Sequence, residues 1–427
     1  MFKAPRGTQD ILPEDQNHWR VVEAKATEVC RLFQYKRIDT PIFEQTELFL
    51  RGVGEGTDIV EKQMYTFEDR GGDRITLRPE GTAPICRAYI EHGMHNQPQP
   101  VRLYYTGPIF RYERPQKGRM RQHHQFGVEA IGSSDPVFDA QVIDLAWRFY
   151  RSLGLKGLTL QLNSIGCSDC RPDYLAALGY YYSDHVNNLC PDCSMRRLRS
   201  PLRLLDCKNA SCQDTVTGAP RILDYLCQPC GSHFEELKGY LDKRRIGYEL
   251  NPYLVRGLDY YTRTVFEIQP AEVRGQSAIG GGGRYDNLIE QLGGRPTPAV
   301  GFATGLERII MNLQNQGIRS EDVWVGRKVF VVYADEAGKR EVLAIAATLQ
   351  DNNISATFTS GDYSLKSQMR QAGSSGSPWV IVVGQDEVSK DSVVLRNMAK
   401  GTQEETSLGN AIKQIGRQRP SDWPVDR

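Results

Sequence analysis

Residues 102–132 read RLYYTGPIFRYERPQKGRMRQHHQFGVEAIG, and the rest of the chain can be interpreted from this stretch. Runs with β character at 101–109 and 125–131 flank a polar segment. Pro115 and Gly118 interrupt any helix in that segment, so we predict two strands joined by a long hairpin loop. Five cations crowd into this loop: Arg111, Arg114, Lys117, Arg119 and Arg121.

The cationic loop has two interpretations. It suits a polyanionic ligand, because guanidinium groups match phosphate oxygens through paired hydrogen bonds. The alternative is a solvated surface hairpin, which the charge alone would favour. The strands also carry carboxylate and amide side chains, Glu113, Gln125 and Glu129, that a plain surface loop does not need. These polar groups favour a binding site at the hairpin.

Composition sets broad limits on the function. The chain has 427 residues and a net charge of +1, which fits a globular protein of two or three domains. Any contact with nucleic acid must therefore depend on local basic patches. The start of the chain lacks the apolar segment of a secretory signal, and no run approaches the roughly 20 apolar residues of a membrane span. We expect a cytoplasmic protein without membrane contact, whose cysteines are thiols or metal ligands.

The first third of the chain predicts a helix, an extended run and a hairpin. Apolar residues at helical spacing indicate an amphipathic helix over 16–33. Residues 35–49 form an extended run broken by Pro41, which fits an edge strand slightly better than a strand paired across a dimer axis. A hairpin turning at 70–73 then leads into a further strand and a helix.

Glu80, Gly81 and Thr82 lie at the corner where that strand meets the helix. Thr82 either serves only as the N-cap of the helix or helps to hold an ammonium group beside Glu80. The sequence leaves both roles open.

The domain organisation follows from changes in composition. Residues 167–245 are rich in cysteine and mainly helical, which indicates an insertion, and β character returns from Pro252. The last roughly 100 residues alternate strands and helices, as in a small α/β domain. We predict a main domain in two pieces at 1–166 and 246–317, the insertion at 167–245, a linker at 318–326 and a C-terminal domain at 327–427.

Four runs place polar residues on strand-like or glycine-rich backbone: the hairpin, LRPEGTA, VRGLDYYTRT and GGGGRYD, with GLER shortly after. Four glycines in a row weaken a strand but let a ligand or another backbone approach closely. The run is no Walker A loop, because no Gly-Lys-Ser/Thr follows, and its spacing argues against a Rossmann unit. Arg111, Arg256 and Arg308 stand near these runs, and three converging cations suit triphosphate chemistry.

These residues carry a resemblance to a known family. FRYERPQKGRMRQHHQFGVEAIG resembles the second signature motif of class II aminoacyl-tRNA synthetases, PAVGFATGLERII the third, and YKRIDTPIFE the first, which builds the dimer interface of that class. LVRGLDYYTRTVFE and GGGGRYDNLIEQLGG are similar to the two histidine-specific motifs. RGTQDILPED and TLRPEGTA also fit. The chain thus resembles the histidyl-tRNA synthetase family essentially from end to end.

The resemblance implies both a fold and an activity. The fold is an α+β catalytic domain with a mostly antiparallel sheet of the class II synthetase type, a Cys-rich, mainly helical insertion and a C-terminal α/β anticodon-binding domain. The activity is ATP-dependent conversion of L-histidine to histidyl-adenylate, followed by transfer of the histidyl group to the 3′ end of tRNA(His). The implied partners are L-histidine, ATP, Mg²⁺, tRNA(His) and a second copy of the chain.

For the amino acid, the resemblance implies that Glu80, Thr82 and Gln125 hold the α-ammonium group. Glu129 and Tyr261 would take the two imidazole nitrogens, since a carboxylate and a phenol can meet both. Requiring both contacts rejects analogues, because an unmet buried polar group costs about 1–3 kcal/mol. The implied histidine-binding set is Glu80, Gly81, Thr82, Gln125, Glu129, Gly257, Tyr260 and Tyr261.

For ATP, the resemblance implies that Arg111 and Arg256 are catalytic and grip the α-phosphate, with Arg256 standing where other class members use a metal ion. Glu113 would read the adenine amino group or organise the metal-bound phosphates. Arg308 would stack on adenine and reach the γ-phosphate. The class usually has a Phe under the adenine where this chain has His123. Because imidazole stacks with less area, we expect weaker or pH-dependent ATP binding.

For tRNA, the resemblance assigns Arg114 and Gln116 to the acceptor end and its extra 5′ guanosine. The C-terminal domain resembles the anticodon-binding domain shared by several class II enzymes. From spacing alone a generic α/β domain is the alternative.

The insertion contains CxxC pairs, which are typical of four-thiolate zinc sites in intracellular proteins. The sequence predicts one structural zinc site made of Cys190, Cys193, Cys227 and Cys230. Free buried thiols are the alternative, because the gap between these pairs is longer than in a usual zinc ribbon. There are also too many thiols for one site: Cys167, Cys170, Cys207 and Cys212 lie nearby.

Three other functions compete with histidine activation. A catalytically weak, synthetase-like regulatory or tRNA-sensing protein would lose motif residues or the C-terminal domain, whereas both are present here. A synthetase for another amino acid would lack RGLDYY and the pair Glu129 and Tyr261. A zinc-ribbon nucleic-acid binder would explain the insertion alone.

Overall fold

The computed structural model describes residues 2–54, 56–114, 119–270, 278–318, 328–359 and 361–417. They fall into two units, Met1–Arg319 and Ser320–Arg427. The helices of the first unit are α1 (Gln16–Leu32), α2 (Thr46–Val53), α3 (Thr82–Glu91), α4 (Pro136–Ser152), α5 (Arg171–Asp184), α6 (Pro191–Arg199), α7 (Ala210–Val216), α8 (Gln228–Lys243), α9 (Leu288–Gln291) and α10 (Leu306–Asn315). Its strands are β1 (Lys36–Arg37), β2 (Phe43–Gln45), β3 (Tyr65–Glu68), β4 (Arg74–Leu77), β5 (Val101–Phe110), β6 (Gln122–Ile131), β7 (Leu158–Ser164), β8 (Glu249–Leu250), β9 (Thr262–Pro270), β10 (Gly280–Arg284) and β11 (Ala299–Gly305).

An eight-stranded sheet organises the first unit, in the order β1-β5-β6-β11-β10-β9-β7-β8. The two outermost pairs are parallel and the inner pairs are antiparallel. The predicted hairpin forms part of this sheet, because β5 and β6 pair from Val101 with Ile131 to Phe110 with Gln122. The predicted mostly antiparallel sheet is therefore confirmed.

Apolar side chains cover both faces of this sheet. One buried cluster contains Trp19, Val22 and Phe149 from α1 and α4, and the predicted helix over 16–33 is confirmed. The other cluster packs α3 and the insertion against the strands, and it contains both Tyr260 and Tyr285. The insertion thus shares its core with a region that carries predicted site residues.

The extended run predicted over 35–49 is only partly right. The edge-strand interpretation holds for β1, which pairs with β5 at the end of the large sheet. Chain 43–45 forms β2 in a separate three-stranded sheet with β4 and β3. From Thr46 the chain is helical, because Phe49 and Val53 then lie on one buried face of α2.

The insertion is mainly helical, as predicted. The sequence indicates one helical piece over 222–243, but the structure divides it into two elements. A 3₁₀ turn at Ile222–Tyr225 is separated from α8, whose N-cap is Cys227 and whose first turn contains Pro229. Proline is favoured in the first turn of a helix and cannot continue one that precedes it.

The second unit contains α11 (Glu336–Asp351), α12 (Leu365–Ser374), α13 (Gln385–Ser389) and α14 (Leu408–Arg417) with strands β12 (Lys328–Tyr333), β13 (Ser355–Phe358), β14 (Trp379–Val383), β15 (Val393–Asn397) and β16 (Thr402–Thr406). The sheet order is β13-β12-β14-β15-β16, parallel among the first three strands and antiparallel after them. The predicted α/β domain is confirmed, although β16 and α13 were not predicted. The predicted linker lies outside the described residues except for Ile318.

Candidate functional site

A cavity of about 500 Å³ opens within the first unit, beside the β5–β6 hairpin and the glycine-rich strand β10. Sequence-predicted residues from distant parts of the chain line it together: Glu80, Thr82, Arg111, Glu113, His123, Gln125, Glu129, Arg256, Gly257, Tyr260, Tyr261 and Arg308. Gly81 is not among the lining residues. Arg114 is exposed outside the cavity, and Gln116 lies outside the described residues. The predicted amino-acid and ATP residues thus meet in one place.

Glu80 occupies the corner between β4 and α3. Its carboxylate oxygens accept hydrogen bonds from the backbone amides of Thr82 and Ala83, each at 2.7 Å. Glu80 therefore performs the capping that the sequence offered to Thr82, and the N-cap position itself belongs to Gly81. Burial raises the pKa of the Glu80 carboxyl, while the two amides oppose this rise. Both carboxylate oxygens retain lone pairs that a ligand can use.

Glu129 is the most deeply buried acid of the cavity, with 1% of its surface exposed. Thr82 Oγ1 donates a hydrogen bond to it at 2.8 Å, and the Tyr285 hydroxyl donates a second. Burial raises the pKa of Glu129 to about 8, although both hydroxyl groups oppose the rise. Gly301 lies directly opposite on β11, where any Cβ would collide with the Glu129 carboxylate. The sheet thus holds a buried carboxyl group, with two hydroxyl groups as hydrogen-bond donors, beside the open cavity.

Tyrosine side chains form the wall around Glu129. Tyr260 and Tyr261 stack obliquely with ring centroids 4.7 Å apart, and Tyr260 meets Tyr285 edge to face at 5.6 Å. The ring of Tyr105 passes over Gly81, where a side chain would overlap it. This explains why Gly81, although it does not line the cavity, is required there. Burial raises the pKa of Tyr261, so its hydroxyl stays protonated at neutral pH.

The glycine run in β10 makes room for Arg256. A Cβ on Gly281 would lie 2.8 Å from Arg256 Nη1 and 2.6 Å from the carbonyl oxygen of Phe266. The glycine run therefore allows the close approach that the sequence predicts. The groups that approach Gly281 are the Arg256 side chain and the backbone of β9. Arg256 forms an ion pair with Glu267 on β9, which also lines the cavity.

A second group of charges occupies the hairpin side of the cavity. Arg111 is held by a hydrogen bond from its Nε to the carbonyl oxygen of Pro79 at 2.7 Å. Arg119 approaches Glu113 at 3.6 Å. Arg308 donates to the carbonyl oxygen of Ala278 at 2.8 Å. Burial and the Arg119 charge lower the pKa of Arg308. Such a lowering is expected where several cations share a buried site.

His123 lines the cavity between these cations. Burial lowers its pKa to about 3, and the positive charges of Arg111 and Arg308 act in the same direction. The imidazole is therefore neutral across the physiological range, so its own titration gives ATP binding no pH dependence there. This argues against the pH-dependent part of the expectation and leaves its stacking role open.

The arginine of GGGGRYD has a different role. Arg284 is completely buried and pairs with Asp139, and it donates to the carbonyl oxygen of Ser133 at 2.8 Å. His233 lies 3.3 Å from the other side of Asp139. Although burial opposes it, the Arg284 charge lowers the pKa of Asp139 to about 2. This buried network supports the sheet from outside the cavity.

Several lining residues were missed in the sequence: Tyr105, Glu267, Tyr285 and Glu307. Glu307 accepts hydrogen bonds from the backbone amide of His124 at 2.9 and 3.0 Å, which ties α10 to β6. Tyr285 and Glu267 belong to motifs that the sequence singled out. In the motif that contains Glu267, Arg256 is the more conspicuous candidate, because arginine is a preferred phosphate ligand.

The cysteines of the insertion correct the predicted zinc set. Cys190 and Cys193 do not meet Cys227 and Cys230. The structure instead forms two groups of four, the first cysteine cluster with Cys167, Cys170, Cys227 and Cys230, and the second cysteine cluster with Cys190, Cys193, Cys207 and Cys212. The prediction joined two of the three CxxC pairs, whereas the chain path brings Cys167 and Cys170 to the pair at 227 and 230, and leaves Cys190 and Cys193 with the next two cysteines in sequence.

Comparison with known proteins points to one family. The family model described as Histidyl-tRNA synthetase matches residues 7–169 and 209–309, and a model described as Anticodon binding domain matches 328–418. A Histidine--tRNA ligase of Dehalococcoides mccartyi is 54% identical over 418 residues, covering 98% of this chain and 100% of the relative. One of Thermosipho melanesiensis is 50% identical over 403 residues, covering 94% and 96%.

Solved structures agree with this result. Apo histidyl-tRNA synthetase of S. aureus has a TM-score of 0.82 at 39% identity, covering 97% of this chain and 100% of that one. An ATP phosphoribosyltransferase regulatory subunit/histidyl-tRNA synthetase from Bacillus halodurans C has a TM-score of 0.65 at 22% identity, covering 90% and 98%. The second likeness supports the fold alone. Among the described residues, no helix is long and apolar enough to cross a membrane.

Proposed function

Since the chain belongs to the histidyl-tRNA synthetase family, a class II aminoacyl-tRNA synthetase family, we propose that it is a ligase of translation that acts in the cytoplasm. It activates L-histidine with ATP to histidyl-adenylate and then transfers the histidyl group to the 3′ end of tRNA(His). The observation that carries the proposal is the cavity in which a buried carboxylate, tyrosine hydroxyls and arginines converge. These are the groups that an imidazole and a triphosphate need.

The histidine end of the cavity is the one around Glu129. One oxygen of the Glu129 carboxyl group accepts an N–H of the imidazole, and Tyr261 meets the other ring nitrogen. Glu80, Thr82 and Gln125 receive the α-ammonium group, which the free lone pairs of Glu80 can accept. Because Glu129 is already oriented by Thr82 and Tyr285, little ordering remains for the ligand to impose.

The phosphate end is the cationic one. Arg111 and Arg256 hold the α-phosphate while the carboxylate of histidine attacks it, which makes them the proposed catalytic residues. Arg308 and His123 receive the adenine, with the neutral imidazole as a stacking surface. Arg256 must exchange part of its ion pair with Glu267 for the phosphate. Positioning and charge stabilisation supply most of the catalysis in such chemistry.

Mg²⁺ would accompany ATP. Glu113 and Glu267 line the cavity, and carboxylate oxygens are the donors that this hard cation prefers. The donor chemistry therefore fits the ion, which, when bound, would neutralise charge on the phosphates.

The macromolecular partners are tRNA(His) and a second copy of the chain. The exposed guanidinium of Arg114 supports the proposed contact with the acceptor end, and Gln116 is its proposed neighbour. The match to an anticodon-binding model supports a contact with the anticodon. Ile42 and Phe43, in the run that resembles the dimer motif, are 44% and 50% exposed. Exposed apolar side chains of this kind support a contact with a second copy of the chain.

ATP–pyrophosphate exchange by the full chain tests the proposal, with each of the twenty amino acids supplied separately. We expect exchange with histidine alone. In Arg256→Ala the kcat of exchange should fall about 10²–10³-fold, because one charge that stabilises the transition state is lost. Arg148→Ala is the matched control, since this arginine is exposed on α4 and does not line the cavity. Exchange with a different amino acid would contradict the Glu129 and Tyr261 assignment, and no exchange at all would contradict the activity.

A further inference from the structure

Eight of the ten cysteines of the chain lie in the two cysteine clusters of the insertion. The other two, Cys30 and Cys86, are buried singly in the apolar core. All are free thiols rather than disulfides. Within each cluster the four sulfur atoms lie within 4.8 Å of one another. Cysteines that serve only as small buried residues, such as Cys30 and Cys86, do not need to assemble in groups of four.

The sulfur separations match a tetrahedron around one ion. Cys167 Sγ lies 3.7 Å from both Cys170 Sγ and Cys227 Sγ, and Cys190 Sγ lies 3.9 Å from Cys207 Sγ. Four ligands at about 2.3 Å from a central zinc ion are about 3.8 Å apart. A disulfide would bring the two sulfurs to about 2.05 Å. A four-iron cluster binds each thiolate to a different iron and so spreads the sulfurs more widely.

Backbone amides point at the sulfurs in both clusters. In the first cluster, Cys167 N donates to Cys170 Sγ at 3.1 Å, and Asp169 N donates to Cys167 Sγ at 3.4 Å. In the second, Cys190 N donates to Cys212 Sγ at 3.2 Å. Such hydrogen bonds favour the thiolate form that metals bind, and they orient the ligands.

Two short helices of the insertion, α6 and α7, bury little apolar surface of their own. The buried residue of α6 is Cys193, and those of α7 are Cys212 and Thr215. These helices have nine and seven residues, too short to be stable in isolation. Where small elements cannot bury enough apolar surface, a structural metal commonly supplies the missing stability.

Each cluster is also connected to the cavity wall through residues next to its cysteines in sequence. In the second cluster, Cys207 stands between Asp206 and Lys208, which both line the cavity. From α6, Arg196 donates to Asp58 in the cavity wall at 2.9 Å. In the first cluster, the residue after Cys170 is Arg171, which donates to the backbone carbonyl of Tyr261 at 2.7 Å.

We propose that each cysteine cluster binds one Zn²⁺ through four thiolates. The first zinc ion ties the start of the insertion to the beginning of its last helix, since Cys167 and Cys227 are 60 residues apart in sequence and Cys227 is the N-cap of α8. The second fixes the segment 203–208, which forms one wall of the histidine pocket beside Gly257. Binding releases the remaining thiol protons to solvent and involves no redox change.

The test is the metal content of the full chain, purified without chelators and measured by elemental mass spectrometry. We expect two zinc ions per chain, and thiol titration of the native protein should find the eight clustered cysteines protected. No zinc, one zinc or iron in its place would overturn the proposal. Replacement by Co²⁺ gives a second measurement, since a tetrathiolate site shows intense visible bands and weaker coordination does not.

Two variants separate the clusters. Cys227→Ser should lose the zinc of the first cluster and Cys207→Ser that of the second, leaving one ion per chain in each. Cys30→Ala, whose thiol is far from both clusters in the core, is the matched control and should retain two. If either variant fails to fold, the metal content and cobalt spectrum of the unaltered chain still decide the proposal.

The expected effect of the second zinc ion on the cavity wall rests on the proposed function, and a separate measurement tests it. Cys207→Ser should raise the KM for histidine roughly tenfold with a smaller change in kcat, because a displaced wall weakens positioning. An unchanged KM in a variant that has lost its zinc would overturn this second role. The zinc count does not depend on activity, so failure of the proposed function and failure of the zinc sites can be told apart.

Discussion

The cavity of the main domain and the cysteine-rich insertion position their side chains by different means. In the cavity, strand register places Glu129 opposite Gly301, and hydrogen bonds from neighbouring strands and helices orient its carboxylate. In the insertion, short helices bury cysteines where other helices bury apolar residues. The register of the sheet, together with helix α3, thus orients a polar group in the cavity, whereas the path of the chain through the insertion brings thiols together in groups of four.

The largest expected effect concerns the sheet side of this comparison. If a buried ionic network supports the sheet, Arg284→Met should lower the free energy of unfolding by about 3–5 kcal/mol, because Asp139 is left charged and buried without its partner. Urea denaturation followed by circular dichroism measures this loss. Arg148→Met, at an exposed position on α4, is the control and should change stability little. A loss as small as that of the control would mean that the sheet does not depend on this network.

An intermediate effect concerns the carboxylate that the sheet buries. The pKa of Glu129 is about 8 in the folded protein, above the value of about 4.5 from which it is raised. Between these values the folded chain holds a proton that the unfolded chain releases. The free energy of unfolding should therefore fall as pH rises through this window, by up to about 1.4 kcal/mol per pH unit from this group.

Glu129→Gln removes that titration while keeping the size of the side chain. Urea denaturation of the unliganded protein at several pH values should show a flatter dependence in this variant than in the unaltered chain. Glu290→Gln replaces an exposed glutamate on α9 and should keep the original slope. Equal slopes in all three proteins would show that Glu129 is ionised at neutral pH and that the sheet stabilises its charge.

The smallest effect concerns His123, which the cavity keeps neutral. His123→Phe should lower the KM for ATP by about two- to tenfold, because a larger ring adds stacking contact with adenine. The pH profiles of this KM in the two proteins should be parallel, since the pKa of His123 is about 3. The KM for histidine serves as the internal control. A KM for ATP that changes between acidic and neutral pH only in the unaltered chain would contradict the neutral imidazole.

Local features of the structure could be predicted from the sequence. The hairpin of β5 and β6, the helix starting at Thr82 and the insertion all follow from periodicity and composition within short windows. Only the resemblance predicted that Arg111, Arg256 and Arg308 meet in one cavity, because these residues are far apart in sequence. Chemistry that is local in sequence is therefore predictable.

Features that depend on the register of distant strands could not be predicted in this way. Tyr285 reaches Glu129 only because β10 and β6 flank β11 in the sheet. The grouping of cysteines depends likewise on the path of the chain through the insertion, which spacing does not encode. The capping of α3 by Glu80 was missed because glutamate two residues before a helix is not a usual cap.

The pairing of Glu129 with Gly301 restricts the order in which mutations can be accepted. While glutamate occupies position 129, any side chain at 301 collides with its carboxylate, so a substitution there is rejected first. A shorter residue at 129 would remove the contact with the carboxylate, but the carbonyl oxygen of Val128 would still lie 2.9 Å from the new Cβ, so the backbone of β6 would have to shift as well. A lineage that changed the chemistry of this pocket would therefore lose the acid at 129 before the glycine at 301, because the backbone of β6 continues to require the glycine.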